Sequence, residues 1–408
     1  MNSVQPAQLP AEWPPFPETM SVSVLNELES CPRRWALAAA SYPDVWSGRG
    51  YPPALVIPRM AGTIVHAVLE VIVAAMVRNG CGSVQGPDAV GVMRELGGYT
   101  KLIGRAIEDV LQPHSVNPRA AHRRADATRT LQNQIGKLRA RVQSLLSNVN
   151  LPPRASADPA GDRPSRGRFR RPLPVGVSPE VELIASSIGW KGKADLITLI
   201  DDLCEILDFK TGQEHDAHRL QLQVYSLLWF LDEQLNPTQR LATRLTLSYA
   251  DREVSVPALS SAELRILEQA LSERVALARQ ASSEQPPLAR PALENCGNCD
   301  VRHLCDAYWT ISTQALLRAD VAAGGSIVDA ELTISRRIGA GIWEARVRVW
   351  TGPAPADRIF LRSPDPTLDL RPGDVIRVVG GRTWQPVDDP AAPSINVSST
   401  SEVYLLSR

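Results

Sequence analysis

The sequence predicts a mixed α/β domain followed by a small all-β domain. Apolar residues recur at helical spacing through the first 150 positions, then at the shorter period of strands between residues 181 and 209. From Ile327 onward, apolar and polar residues alternate between Pro/Gly turns. A chain of 408 residues, 44% hydrophobic and 22% charged, is long enough for two or three domains.

Residues 1–20 read as an N-terminal extension; Glu12, Glu18 and five prolines leave no basic-then-apolar secretory signal. From Ser21 to Ala40, residues Val24, Leu25, Leu28, Trp35 and Leu37 follow a helical period interrupted at Cys31-Pro32. Gly62 to Val77 predicts a buried helix. Its apolar run is broken by His66 and Glu70, short of the roughly 20 uninterrupted apolar residues of a membrane span. A cytoplasmic protein without a membrane partner is therefore expected. Val90 to Val149 is helical again and ends at Leu151-Pro152-Pro153. Six arginines between Arg154 and Arg171, set among prolines, predict an exposed basic loop over 150–177 that interrupts the chain without dividing the fold.

Val181 to Ile184, Lys193 to Ile200 and Cys204 to Phe209 predict short strands separated by Gly189 and by Asp201-Asp202. Leu220 to Leu231 reads as an amphipathic helix, Leu241–Tyr249 with Glu253–Leu259 as a hairpin, and Ala262–Ala281 as a further helix. After the cysteine-rich stretch, a helix over Ala307–Arg318 leads past Ala322-Ala323-Gly324-Gly325 into residues 319–408. Ile342–Trp350, Asp357–Arg362 and Asp374–Val379 there predict a separate, OB-like β-barrel.

A net charge of zero excludes a protein that coats nucleic acid by bulk electrostatics and leaves room for a local basic path. Lysine is scarce, with 5 residues against 39 arginines, yet Lys191, Lys193 and Lys210 lie close together. Around them run Gly192-Lys193-Ala194-Asp195 and Leu207-Asp208-Phe209-Lys210-Thr211-Gly212. Carboxylates on adjacent strands can converge on one divalent cation, whose oxygen-rich shell leaves positions for water and phosphate. Asp208 and Lys210, two apart, share a strand face, so the lysine can position the attacking water. An isolated Asp-x-Lys is ordinarily a turn acid and a solvated charge, so the surrounding sequence decides. Cys296-x2-Cys299-x5-Cys305 needs a fourth thiolate, for which Cys31 is the candidate; ligand count alone suits zinc or iron–sulfur equally. Cys81 and Cys204 read as unreactive buried thiols.

These motifs together resemble the RecB-like PD-(D/E)xK nucleases. In that family a G-x-x-D strand precedes one ending in D-x-K-T-G, a following helix carries Q-L-x-x-Y, and an upstream helix carries G-x-x-x-H. Asp195, the Asp208–Gly212 run, Gln221-Leu222 with Tyr225, and Gly62 with His66 match these in order. The resemblance covers about residues 20–310. It implies a restriction-endonuclease-like α/β core with added helices over 21–318. It makes Lys210 the catalytic lysine, assigns Asp208, Asp195, Gln221 and Tyr225 to the active site, and offers Glu182 as a further acid, with Glu180 competing. Mg²⁺ or Mn²⁺ would be held by His66, Asp195, Asp208 and Phe209.

A subset that includes the AddB nuclease and the nucleases of CRISPR adaptation carries one cysteine before the histidine helix and three after the glutamine motif. Cys31-Pro32-Arg33-Arg34 fits the context of the first. The resemblance thus implies a [4Fe–4S] cluster on Cys31, Cys296, Cys299 and Cys305, stapling the domain's two ends; structural zinc is the alternative. The expected activity is cleavage of single-stranded DNA or DNA ends, in repair and recombination or in anti-phage or CRISPR-type defence. The rival reading is a non-catalytic subunit of a helicase–nuclease complex. No G-x-x-x-x-G-K-[ST] loop is present, so a helicase would be a separate partner. The barrel is expected to hold the strand, with Trp343, Trp350 and Trp384 as stacking candidates, although two of the three read more readily as barrel core.

Overall fold

The computed structural model describes residues 5–121, 123–151, 170–310, 327–351, 357–365, 368–384, 393–398 and 400–407. Strand β1 (Gln5–Pro6) is followed by α1 (Val22–Ser30), which Ser21 caps by accepting a hydrogen bond from the N–H of Val24, and by α2 (Pro32–Ala39), which starts with proline at its first position. Helix α3 (Ile57–Arg78) is the centre of one core. Ile64, Val65, Ile72 and Met76 are wholly buried among α4 (Pro87–Glu95), α5 (Gly98–Leu111), α6 (Arg124–Asn133) and α7 (Ile135–Ser147). By length and composition α3 could cross a bilayer, contrary to the sequence expectation; here it is the core helix of a helical layer. The single helical stretch expected over 90–149 is four helices, because Gly97 and Gly98 adopt positive φ and Pro113 interrupts the next.

The α/β half is built on a five-stranded sheet of β2 (Gly176–Ala185), β3 (Trp190–Ile200), β4 (Leu203–Lys210), β5 (Arg244–Tyr249) and β6 (Glu253–Val256), in that order across the sheet. All neighbours are antiparallel except β4 and β5, which are parallel and therefore joined by a crossover helix, α8 (Asp216–Leu231). Both faces of the sheet are covered. Leu196, Leu207 and Phe209 pack toward α3, while Ile197, Ile206 and Leu247 pack toward α8 and α9 (Ser261–Ala281), whose first turn is fixed by a Ser260–Glu263 capping box. The 5/6 hairpin and the two helices around it match the sequence reading. Residues 152–169 of the basic loop lie outside the described residues, and Gly176 and Val177 already belong to β2.

Past α10 (Leu293–Cys296), residues 307–310 form turns rather than the start of the expected helix; the rest of that helix and the 318/319 boundary lie outside the described residues. The all-β part comprises β7 (Ile327–Gly339), β8 (Ile342–Trp350), β9 (Arg358–Arg362), β10 (Val375–Trp384), β11 (Ser394–Asn396) and β12 (Glu402–Ser407). The circuit β7-β8-β9-β11-β10 closes through β10–β7 pairing into a barrel filled by Leu332, Trp343, Leu361, Ile376 and Ile395. Strand β12 adds to β10, and β1 adds to β12, so the N-terminal extension is part of this sheet. At its other end the extension bridges Met20 to Trp190 of the five-stranded sheet.

The barrel is docked, not separate. Arg119 donates to both carboxylate oxygens of Glu402, at 2.6 and 2.8 Å, with both residues buried. The His303 ring stacks on Tyr404 at 3.8 Å, and Arg377 donates to the His303 carbonyl at 2.6 Å. Asp329 accepts from Arg302 at 2.5 Å and from the Tyr308 hydroxyl at 2.8 Å. These paired charges and carbonyls hold the two units together, while His303 Nδ1 and the Tyr404 hydroxyl are buried there without a hydrogen-bond partner among the described residues.

Candidate active site and cysteine pocket

The register of β3 against β4, with Leu196 opposite Leu207 and Ile197 opposite Ile206, brings Asp195 and Asp208 to the same end of the sheet. Asp195 accepts the Phe209 N–H on Oδ2 at 2.6 Å, while its Oδ1 lies 3.1 Å from His66 Nδ1. His66 reaches across from α3 because Gly62, one turn earlier, has no side chain; a Cβ there would meet Thr211 Oγ1 at 3.0 Å. Gly192 plays the same part beneath β3, where a Cβ would stand 2.8 Å from the Tyr225 ring. Tyr225 can then accept from Gln221 Nε2 at 2.8 Å, while Gln221 Oε1 accepts from Lys210 Nζ at 2.6 Å. Lys210 also pairs with Asp208 Oδ2 at 2.5 Å, so its ammonium is held from two sides.

Of the two candidate acids, the structure brings Glu180, and not Glu182, beside His66 and Asp195. The β2–β3 register places position 180 opposite Asp195, and Glu180 adopts φ 53°, a left-handed conformation unusual for a non-glycine residue. In a regular strand residues 180 and 182 would share a face; the irregularity at 180 breaks that relation. Glu180 turns toward His66 and Asp195, and Glu182 is left exposed. Ligand atoms of His66, Glu180 and Asp195 all lie within 4.8 Å of one another. Lys193 pairs with Glu180 and lies 4.0 Å from Glu70. Phe209 contributes its N–H to Asp195, and its ring is buried in the α3 core.

Charge is crowded here. Burial, then repulsion from Asp195, pushes the Asp208 carboxyl up to about 6 against the opposing pull of Lys210 and His66. Glu180 is also raised, by burial and by Asp195, against Lys193. Burial pulls His66 down, but its hydrogen bond to Asp195 and the three surrounding carboxylates raise it overall. A cluster of oxygen donors that repel one another, with one imidazole, fits a hard divalent cation, which would relieve the repulsion.

Cys31, between α1 and α2, lines one pocket with Cys296, Cys299 and Cys305, walled by Arg34, Leu37, Arg302 and Tyr308. Burial pushes the thiols of Cys296 and Cys305 up and that of Cys299 to about 12. Among the described residues no three of these sulfurs lie mutually within 4.8 Å. Cys81 and Cys204 are buried elsewhere, in the two cores flanking the sheet.

Paired acids and a lysine at one end of a covered sheet, with a histidine from the packing helix, form an arrangement that suits a divalent cation. The chain belongs to the PD-(D/E)XK nuclease superfamily, whose family model matches residues 19–306. Members are generally nuclease hydrolases that use Mg²⁺ or Mn²⁺, so the acidic group is a candidate metal site. Among curated proteins no match is found. Similar solved structures include a HINb domain, 13% identical over 22% of this chain and 44% of that one, with a TM-score of 0.17. They also include SSO0001, 22% identical over 33% and 62% of the two chains, with a TM-score of 0.19. A murine DNA binding protein bound with ds DNA is 10% identical over 57% and 96%, with a TM-score of 0.17. The chain thus spans less than two thirds of the first two, and all three scores are far below that of a shared overall fold.

Proposed function

We propose that this protein is a metal-dependent deoxyribonuclease that hydrolyses phosphodiester bonds in single-stranded DNA or at DNA ends. The observation that carries the reading is the Lys210 ammonium, gripped by Asp208 and Gln221 beside the acidic cluster. In a chain with five lysines, that arrangement serves turnover rather than solubility. Lys210 would orient the attacking water and donate a hydrogen bond to the phosphate oxygen on which negative charge develops. Gln221, braced by Tyr225, keeps the ammonium from swinging away. A divalent ion held by His66, Glu180, Asp195 and Asp208 would supply Lewis-acid charge against the scissile phosphate and an acidified water. Asp195 is oriented for this by the Phe209 N–H, leaving its other oxygen toward His66.

The reading extends to a [4Fe–4S] cluster on Cys31, Cys296, Cys299 and Cys305. Resemblance to the iron–sulfur subset, rather than ligand count, favours the cluster over a single structural zinc, which four thiolates would also hold. Bound there, the cluster would tie α1 to the segment after α10. The protein would act in the cytoplasm, in DNA repair and recombination or in anti-phage defence, alongside a separate helicase, since the chain carries no phosphate-loop motif of its own.

The test is a cleavage assay on labelled single-stranded, duplex and flapped DNA with Mg²⁺, Mn²⁺ or chelator. Cation-dependent cutting that Lys210→Ala abolishes, with DNA binding retained, is expected. Cutting by Lys210→Ala at the wild-type rate would overturn the assignment.

A further inference from the structure

The neutral net charge hides a local concentration on one side of the barrel. Strand alternation sends Trp343, Ala345, Ile359, Leu361 and Ile395 into the core, and therefore turns their neighbours outward. Registers across β9, β11 and β10 align Arg362, Asn396 and Arg382 in one row and Phe360, Ser394 and Trp384 in the next. Strand β8 continues the face with Glu344 beside Phe360 and with Arg346 opposite Arg358. Glu344 is shared by Arg336 at 2.6 Å and Arg358 at 3.3 Å. Among the described residues no carboxylate pairs with Arg346, Arg362 or Arg382. These strand positions thus hold five guanidinium groups against one carboxylate.

The aromatic content of the face is as telling as its charge. Trp343 and Trp350 are buried in the barrel, but Trp384 is 50% exposed. The Arg362 guanidinium lies over the Trp384 ring, 5.8 Å from its centroid. Phe360, on the same row, does not pack on the barrel core. In this row Ser394 is buried and Phe360 half-buried, whereas the Trp384 indole stays exposed beside arginines without a carboxylate partner, which suits a ligand with flat apolar faces and negative charge.

We propose that the outer face of β8, β9, β11 and β10 is a track for single-stranded nucleic acid. Bases stack on Trp384 and Phe360, and phosphates are held by Arg346, Arg362 and Arg382. A duplex would offer the phosphates but keep its bases stacked inside, giving the indole nothing to lie against. An acidic protein partner would satisfy the arginines without using the row of rings. The inference rests on the nuclease reading only in taking a polynucleotide as the natural ligand. It supplies the site that reading lacks, because the catalytic group is small and the strand must be held outside it.

The test is anisotropy of a labelled oligo(dT) with the full-length protein in chelator, where no cleavage intervenes. Trp384→Ala should bind roughly tenfold more weakly. The double variant Arg362→Gln, Arg382→Gln should lower the slope of log K against log salt by about 1.4, two phosphate contacts at about 0.7 each. Both sites are on the surface, and unchanged thermal melting would verify that each variant is folded. Wild-type affinity and salt slope in both folded variants would overturn the proposal, as would a wild-type protein that binds no oligo(dT) at low salt. The expected losses in a protein that cuts no DNA with any cation would support this track while removing the nuclease reading.

Discussion

Replacing Asp208 by asparagine should make the metal-free protein more stable while abolishing its response to metal. Asp208 is buried among like charges, and its carboxyl is raised from 3.8 to about 6, a shift that already includes the opposing pull of Lys210. A carboxyl raised in the folded state contributes stability that is fully present below its unfolded pKa and is lost as the pH rises through the folded value. The window for this group is therefore about pH 4 to 6. Above it, holding the ionised side chain in place costs about 3 kcal/mol, two pKa units at about 1.4 kcal/mol each. Asparagine keeps the shape and cannot ionise. In chelator at pH 7.5, Asp208→Asn should melt roughly 5 °C higher than wild type, for a domain of about 290 residues, and lose much of the slope between pH 4 and 6. Mn²⁺ or Mg²⁺ at a hundred times its dissociation constant should return about 2.7 kcal/mol to the wild type only. Scanning calorimetry across pH, with and without cation, makes the comparison. The reasoning fails if the variant melts at or below wild type in chelator, or if cation stabilises both proteins equally.

Glu180→Ala should weaken Mn²⁺ binding, followed by calorimetric titration, at least tenfold, whereas Glu182→Ala should leave it unchanged; equal effects would undo the choice between the two acids. Protein purified without oxygen should be brown with about four irons per chain. Cys31→Ala should bleach it, and Cys81→Ala and Cys204→Ala should not; stoichiometric zinc without iron would replace the cluster assignment. Glu402→Ala leaves Arg119 as an unpaired buried cation and should cost about 3–5 kcal/mol in urea denaturation. A loss below about 1 kcal/mol would mean that the barrel is loosely attached.

Residues close in sequence or carried by periodic segments were legible before the fold was known. Asp208 and Lys210 are two apart on a strand, and Gln221 and Tyr225 are four apart on a helix, so each pair's common face follows from local geometry. Gly62 and Gly192 read as motif letters, but the reason for each, Thr211 and the Tyr225 ring, lies in long-range packing. Glu180 was ambiguous because strand periodicity gives it and Glu182 the same direction, and only a backbone outlier separates them. The barrel's docking was invisible for a similar reason. Arg119 sits between helices and Glu402 is 283 positions away, so nothing in the spacing announces their pairing. Even the described part of the extension, which looked like an appendage, is fixed by backbone pairing that no side-chain pattern records.

The junction of His303, Tyr308 and Tyr404 also bears on the order of events during synthesis. All four thiols of the cysteine pocket have been made once Cys305 has left the ribosome, whereas Val379 and Tyr404, which join Tyr308 and Trp309 in the cluster against Cys296 and Cys305, come later. The 99 positions between 305 and 404 take roughly 5–20 s to translate at ordinary elongation rates. During that interval the nascent chain carries all four thiols without half of the apolar cluster that packs against Cys296 and Cys305.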